Sequence, residues 1–145
     1  MPLNVEDCIF FMLAKANQAG TRYWTNCLTD MNLTAVQAMV LNFLGRQDTV
    51  TSRELGERTG LDGATLTGVL DRLETSGLIE RQRHPKDRRA IHICLTPDGC
   101  ARVPRIQEKL DRANRDFLGA LSPNEQKELR RLLRTVRTAS TTQDK

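Results

Sequence analysis

The sequence predicts a mainly α-helical protein with one small antiparallel β-hairpin, and three observations carry that prediction. Hydrophobic residues recur every three or four positions over most of the chain, the period of a helix with one buried face. Capping residues punctuate these runs, with Thr34, Thr51, Asp62, Thr96 and Ser122 at the entries and Gly45, Gly60 and Gly77 at the exits. Only between residues 78 and 95 does the period drop to two, in LIERQR and AIHICL.

At 145 residues the chain is long enough for one domain with a real core, or for one domain plus an oligomerisation element, and too short for two large domains. With 28% charged, 39% hydrophobic and 4% aromatic residues, it reads as a soluble, helix-rich protein, neither disordered nor membrane-embedded. The formal charge of +4 points to an anionic partner without choosing between nucleic acid and an acidic protein. In MPLNVEDCIFFMLAKA, acids precede the apolar run and Lys15 interrupts it, so neither a secretory leader nor a membrane span is expected, and the location expected is cytoplasmic. Cys8, Cys27, Cys94 and Cys100 form no C-x-x-C pair, which argues against a zinc ribbon or a disulfide scaffold and for reduced thiols.

Residues 4 to 28 place Val5, Ile9, Met12, Leu13, Ala16, Tyr23, Trp24 and Leu28 mostly three or four apart. That spacing predicts a long amphipathic first helix, with Gly20 its weak point. LTAVQAMVLNFLG is the second helix, with Thr34 and Gln37 as a capping box, Val36, Val40, Phe43 and Leu44 on one stripe, and Gly45 as the stop. VTSRELGERTG opens on Thr51 as N-cap with Glu54 three residues on, and Val50 and Leu55 stand where a hydrophobic staple would put them. This short third helix ends at Gly60. LDGATLTGVLDRLETSG repeats the device, with Asp62 as N-cap, Leu61 and Leu66 as the staple and Gly77 as the stop.

In the hairpin, Ile91, Ile93 and Leu95 are expected to face the core, with Ala90, His92 and Cys94 on the other side and turn chemistry at His84, Pro85, Lys86 and Asp87. TPDG restarts helix, with Thr96 as N-cap and Pro97 at the first helical position. Val103, Ile106, Leu110, Ala113, Phe117 and Leu121 continue as a coiled-coil-like seam, and Pro104 is expected to kink or divide that helix early. SPNEQKELRRLLRTVR is a last helix, with a Ser122/Glu125 capping box, Pro123 at the first position, and Leu129, Leu132, Leu133 and Val136 for burial. The tail at 139–145 reads as flexible.

Two short helices joined by a tight Gly-containing turn make a helix-turn-helix, and a hairpin directly after them makes it a winged one. The chain therefore reads as a single domain over 1–145. A winged helix-turn-helix at 33–95 is flanked by dimerisation helices at 4–30 and 97–138. These flanking helices carry more apolar surface than one small winged domain can cover, and packing them across a two-fold axis is the simplest way to bury it, so an obligate homodimer is expected.

With Leu66, Val69, Leu70 and Leu73 turned inward, the fourth helix presents Ala64, Thr67, Gly68, Asp71 and Thr75, flanked by Thr65 and Arg72. Such a small, hydroxyl-rich face lets a helix sit deep in the major groove of double-stranded DNA, where Thr can bond base edges or touch a thymine methyl. The competing account is a small-residue face packed on another helix. Arg72 is the only long donor on this face, so specificity should lean on fit and DNA shape, with Arg88 and Arg89 offered to a narrow minor groove. Asp87 is expected to hold the Arg89 guanidinium, leaving Arg81, Arg83, Lys86 and Arg88 for phosphates. Thr51, Ser52 and Arg53, at the start of the third helix, complete the candidate DNA-contacting set.

Asp87-x-Arg89, five residues, Leu95-Thr96, two residues and Gly99 resemble the signature of the MarR (multiple antibiotic resistance regulator) family of bacterial transcription factors. The run LTGVLDRLETSGLIERQRHPKDRRA is similar to that family's recognition helix and wing, and the helix order is similar over almost the whole chain. The resemblance implies a dimer that binds a palindromic operator, usually as a repressor, and often releases it when a small ligand or oxidant acts at the junction with the dimer helices. It also implies that Ala64 to Arg72 enter the major groove and that Arg89, braced by Asp87, enters the minor groove. Many members carry a basic residue where this chain has Gly68, a departure that bears on how bases are read.

For an effector, Tyr23, Trp24, Met39 and Phe43 could line a cleft for a small aromatic or phenolic ligand, though apolar residues at helical spacing are more often core. Cys8 lies near the N-terminal-helix cysteine of the family's organic-hydroperoxide-sensing branch, but a short step away from it and without a basic neighbour in sequence. Thiol-based peroxide sensing is the alternative within this fold. No catalytic spacing surrounds His84 or His92, and neither a Gly-rich phosphate loop nor H-E-x-x-H occurs, so no enzyme activity and no cofactor are expected. A metal site from His92, Cys94 and Cys100 is disfavoured by strand alternation. The rival class is a winged helix that contacts proteins without sequence-specific DNA binding.

Overall fold

The computed structural model describes residues 1–47, 49–87 and 89–141. A 3-10 turn at Val5–Asp7 leads into helix α1 (Ile9–Cys27), so the first helix starts later than its periodicity suggests. Gly20 passes through it without a break. After a second 3-10 turn, Thr29–Met31, come α2 (Ala35–Leu44), strand β1 (Val50–Thr51), α3 (Ser52–Thr59) and α4 (Gly63–Thr75). The hairpin strands β2 (Ile79–Arg83) and β3 (Ile91–Leu95) follow, then α5 (Pro97–Phe117) and α6 (Pro123–Thr141). Helix α6 thus reaches three residues into the stretch expected to be tail, and 142–145 lie outside the described residues.

The caps explain where these helices begin. Thr34 Oγ1 accepts from the Gln37 N–H at 3.2 Å while Gln37 Oε1 accepts from the Thr34 N–H at 3.0 Å. Thr51 and Glu54 exchange the same pair of bonds at 3.0 and 3.1 Å, and Ser122 and Glu125 do so at the start of α6. Each capping group satisfies N–H groups that the first helical turn leaves orphaned, a contribution of about 1 kcal/mol per cap.

The sheet has the order β1-β3-β2, antiparallel throughout, with Val50 opposite Ile93 on one side of β3 and Arg81 opposite Ile93 on the other. The third strand, β1, is two residues long, too short to produce a periodic signal. Ile93 is fully buried, but Ile91 is 45% exposed, contrary to the alternation argument. Alternation assigns a side chain to a face of the hairpin, yet the helices beneath cover only its base, and Ile91 projects beyond them.

Leu28, Leu41, Leu55, Leu70, Leu73, Ile79, Ile93 and Ile106 are among the largest fully buried side chains, and each contributes roughly 1.5–3 kcal/mol by leaving water. The C-cap of α1 and the elements α2, α3, α4, the hairpin and α5 therefore share one core. Pro104 sits inside α5, which continues through it as one helix. Its missing N–H would have bonded Cys100, and both residues are exposed, where water can serve the carbonyl and the interruption costs least.

Two features join the winged unit to the flanking helices. The Thr96 hydroxyl donates to the Gly77 carbonyl at 2.6 Å and accepts from the Gly99 N–H at 3.1 Å, while the Thr96 N–H donates to the Leu78 carbonyl at 3.1 Å. A Cβ on Gly99 would overlap that Leu78 carbonyl oxygen, so only glycine lets α5 start this close to β2. On the far side, Asp30 accepts from Lys109 at 2.8 Å and from Arg105 at 2.6 Å. Lys109 and Arg102 also donate to the Cys27 and Met31 carbonyls at 3.0 and 2.8 Å, which places α5 cations at the negative end of α1.

A single copy leaves much apolar surface uncovered. Phe10, at 79% exposure, stands with Val5, Ile9 and Met12 at the N-terminus, and Leu132, Leu133 and Val136 are exposed on α6. No helix among the described residues is long and apolar enough to cross a membrane.

Candidate nucleic-acid interface

Helix α4 buries Leu66, Val69, Leu70 and Leu73 and turns Ala64, Thr65, Thr67, Asp71, Arg72 and Thr75 outward. Gly68 is half-exposed, and a Cβ there would meet nothing within 4 Å. The Thr65 N–H and hydroxyl both donate to the Asp62 carboxylate, at 2.8 and 2.7 Å, and these bonds hold the Asp62 carboxyl below the usual carboxylate range. The Thr67 hydroxyl donates to the Gly63 carbonyl at 2.8 Å. With both hydroxyl protons committed inside the helix, the threonines offer methyl groups and lone pairs outward. They are suited to thymine methyls and to the amino groups of adenine or cytosine.

At the hairpin, Arg83, Lys86 and Arg89 are exposed, and no acidic side chain pairs with their charges among the described residues. Arg81, Gln82, Arg83, Arg89 and Ile91 line a recess of about 420 Å³ on this hairpin. Arg88 lies outside the described residues.

Two expectations about this cluster need correction. Arg81 is not a free cation. It donates to Asp71 Oδ1 at 2.7 Å and Glu74 Oε1 at 3.0 Å, because β2 runs beside α4 and brings the side chain onto two helix acids. Burial weakens the Arg81 charge, but the two carboxylates outweigh burial and raise its pKa. Asp87 does not hold the Arg89 guanidinium either: Asp87 Oδ1 accepts from the Arg89 backbone N–H at 3.0 Å. Two residues is the reach of an Asx turn, so the carboxylate shapes the backbone and leaves the guanidinium free.

The start of α3 holds Thr51 and Ser52 half-buried and Arg53 exposed, the last in a 3.3 Å surface pair with Glu57. Sequence reasoning missed a groove of about 660 Å³ between the start of α2 and the last turns of α4, where Thr34 and Gln37 face Asp71, Arg72 and Thr75. Its walls come from helices distant in the chain, so no local pattern marks it.

The effector candidates separate. Trp24 and Phe43 pack against the core, Met39 is half-buried, and the Tyr23 ring stands 5.3 Å from Phe117 at a 49° tilt. Partial burial, with Asp116 and Cys27 nearby, pushes the Tyr23 phenol up. On the α2 stripe shared by Met39 and Phe43, Asn42 Oδ1 is buried and has no hydrogen-bond partner among the described residues, the kind of acceptor that ordinarily finds one. Cys8 is half-buried at the N-cap of α1 and makes no side-chain cap bond. Burial and then the Glu80 charge push the Cys94 thiol up. Among the described residues no group of three or more His, Cys, Asp or Glu side chains is placed to hold a metal ion.

A helix-turn-helix with a three-stranded sheet and a basic hairpin tip defines a winged-helix module. The chain belongs to the MarR family, whose profile matches residues 31–90. It is 35% identical over 97 residues to the organic hydroperoxide resistance transcriptional regulator of Bacillus subtilis, a match covering 67% of this chain and 66% of that protein. Among solved structures it is similar to Bordetella bronchiseptica BpsR, whose DNA binding is regulated by 6-hydroxynicotinic acid. The TM-score is 0.89, with 29% identity, over 94% of this chain and 98% of that one. It is likewise similar to a mutant of Escherichia coli MarR in complex with operator DNA, with a TM-score of 0.85 and 27% identity over 94% and 99% of the two chains.

Proposed function

We propose that this protein is a homodimeric transcriptional repressor that binds a palindromic operator and is released from it by a small aromatic or phenolic effector. The observation that carries this reading is the wing: Arg83, Lys86 and Arg89 lie exposed, without acidic partners among the described residues, on a hairpin tied through Arg81 to the outward face of α4. Cations that are not neutralised internally are available to phosphates, and a guanidinium on a narrow tip suits a minor groove. Helix α4 would then lie in the major groove, with Ala64, Thr65, Thr67, Gly68 and Arg72 against the bases and Thr51, Ser52 and Arg53 at the backbone. The exposed apolar residues of the N-terminal segment and α6 would be covered by a second copy. The orphaned Asn42 acceptor beside Met39 and Phe43 supports an effector that donates a hydrogen bond, as a phenol does. Such a protein would work in the cytoplasm.

Selection of genomic fragments by the purified protein tests the reading, since a recovered palindrome would give the operator and its half-site spacing. Replacing Arg88 and Arg89 together by Ala should weaken binding and make its salt dependence shallower, by about 0.9 in log–log slope for each phosphate no longer neutralised. An unchanged affinity would remove the wing from the interface and leave protein–protein contact as the better account.

A second reading, thiol-based peroxide sensing, is favoured by the Bacillus subtilis relative and by the place of Cys8 at the start of α1. Peroxide that releases DNA from the wild type but not from Cys8→Ser would establish it; equal responses would exclude it.

A further inference from the structure

We propose that His84 is the positioning residue of the wing turn and that it holds the turn only while its Nδ1 carries no proton. The proposal rests on the reading of the wing as a DNA-contacting element, and it makes the placement of Lys86 and Arg89 proton-sensitive. Pro85 has no N–H, so the first two amides after His84 belong to Lys86 and Asp87, and both donate to His84 Nδ1 at 3.0 Å. The rest of the turn builds on those bonds. Asp87 Oδ1 takes the Arg89 N–H at 3.0 Å, the Asp87 carbonyl takes the Ala90 N–H at 3.1 Å, and the His84 N–H closes the loop on the Ala90 carbonyl at 3.0 Å.

An imidazole protonated on both nitrogens only donates. A proton on Nδ1 therefore replaces two hydrogen bonds by a donor that faces two donors. The ring cannot turn away without losing its other neighbour, the edge-to-face packing on His92 with centroids 4.4 Å apart and planes at 87°. The charged and titratable groups around it are His92 from β3, Arg83 from β2, and Lys86 and Asp87 from the turn, with the Glu54 carboxylate of α3 within electrostatic reach of His92. Loss of that support needs only the proton, since an imidazolium has no acceptor left for the two amides.

Added positive charge strengthens binding to any duplex, whereas a collapsed turn weakens binding only to DNA that the wing must fit. The ratio of the two affinities separates these effects. The experiment measures dissociation constants for the selected genomic fragment and for a scrambled duplex of equal length, at about pH 8 and about pH 5.5, with wild type and His84→Asn. The asparagine carbonyl can accept the same two N–H groups and cannot be protonated. Discrimination should fall about tenfold in the wild type, as expected for two broken hydrogen bonds, and stay within about twofold in His84→Asn. A wild type that keeps its discrimination, or a His84→Asn variant that loses it equally, overturns the proposal. Nitrogen NMR of the full chain gives a readout independent of DNA: the Lys86 and Asp87 amide resonances should move together with the His84 ring as it titrates. Amides that stay fixed while the ring titrates overturn the proposal. Absence of DNA binding at either pH would instead overturn the function proposed above, leaving the turn to be decided by the resonances.

Discussion

Arg81 donates to Asp71 Oδ1 at 2.7 Å and so fastens β2 to the exposed side of α4. Glu74 completes the clasp, accepting the Arg81 guanidinium at 3.0 Å and its backbone N–H at 3.3 Å. An arginine engaged in this way aligns helix and wing and neutralises an acid that would otherwise face phosphates. Arg81→Gln should therefore weaken operator binding about three- to tenfold with the salt slope unchanged, while stability falls by about 1 kcal/mol or less, as for other part-exposed pairs. Arg83→Gln should instead make the slope shallower. Anisotropy titrations at several salt concentrations distinguish the two, and a slope lowered by Arg81→Gln would return Arg81 to the phosphate-contacting set.

Gly99 and Gly68 should respond oppositely to the same substitution. A Cβ on Gly99 meets the Leu78 carbonyl oxygen, whereas one on Gly68 meets open space on an exposed helical face. Gly99→Ala should cost about 2–3 kcal/mol through displaced backbone, and Gly68→Ala should stabilise by roughly 0.5–1 kcal/mol through helix propensity. Urea denaturation of the two variants measures both. Gly68→Arg, which adds a basic residue to that face, should leave stability near that of wild type and steepen the salt dependence of DNA binding.

Leu132 and Leu133 are nearly half exposed in a single copy although they lie on an amphipathic helix. Burying them against a second copy predicts that Leu132→Asp together with Leu133→Asp shifts sedimentation from dimer to monomer. Operator affinity should fall far more than the affinity of one half-site for one wing, since two linked half-sites act together. A double variant that remains dimeric would place the interface elsewhere.

What could be read from the chain in advance was local. Caps such as Thr34 with Gln37 and Thr51 with Glu54 act over three residues, so spacing alone identifies them, and the exposed face of α4 follows from the helical period. What failed depended on distance through space. The Arg81 clasp needs β2 laid beside α4, and the exposure of Ile91 depends on how far the helices extend beneath the hairpin. The row of α5 cations on Asp30 joins residues far apart in sequence, and nothing in either segment announces it. His84 stands between the cases: a proline that lacks an N–H, followed by two free amides, is visible in the sequence, but the ring that accepts them is not the usual Asp, Asn or Ser of such turns.

The Asp30 clamp should make the junction between α1 and α5 sensitive to acid. A hydrogen bond from Lys109 is the largest influence and lowers the Asp30 carboxyl below its ordinary value of 3.8; partial burial opposes it, and the Lys109 and Arg105 charges lower it further. A carboxylate with a lowered pKa in the folded state contributes stability that is present above its unfolded value and disappears as pH falls through its folded one. Asp30→Asn keeps an acceptor but never carries the charge. Thermal denaturation should therefore show the wild type melting above Asp30→Asn at neutral pH, with the gap closing as pH drops below 3.8. Asp62, Glu54 and Glu128 are lowered as well, through bonds from Thr65, Thr51 and Arg131, so both proteins lose stability in acid and only the difference between them reports on Asp30. A gap of constant size across the range would mean that Asp30 acts through packing or hydrogen bonding alone, with no net contribution from its charge.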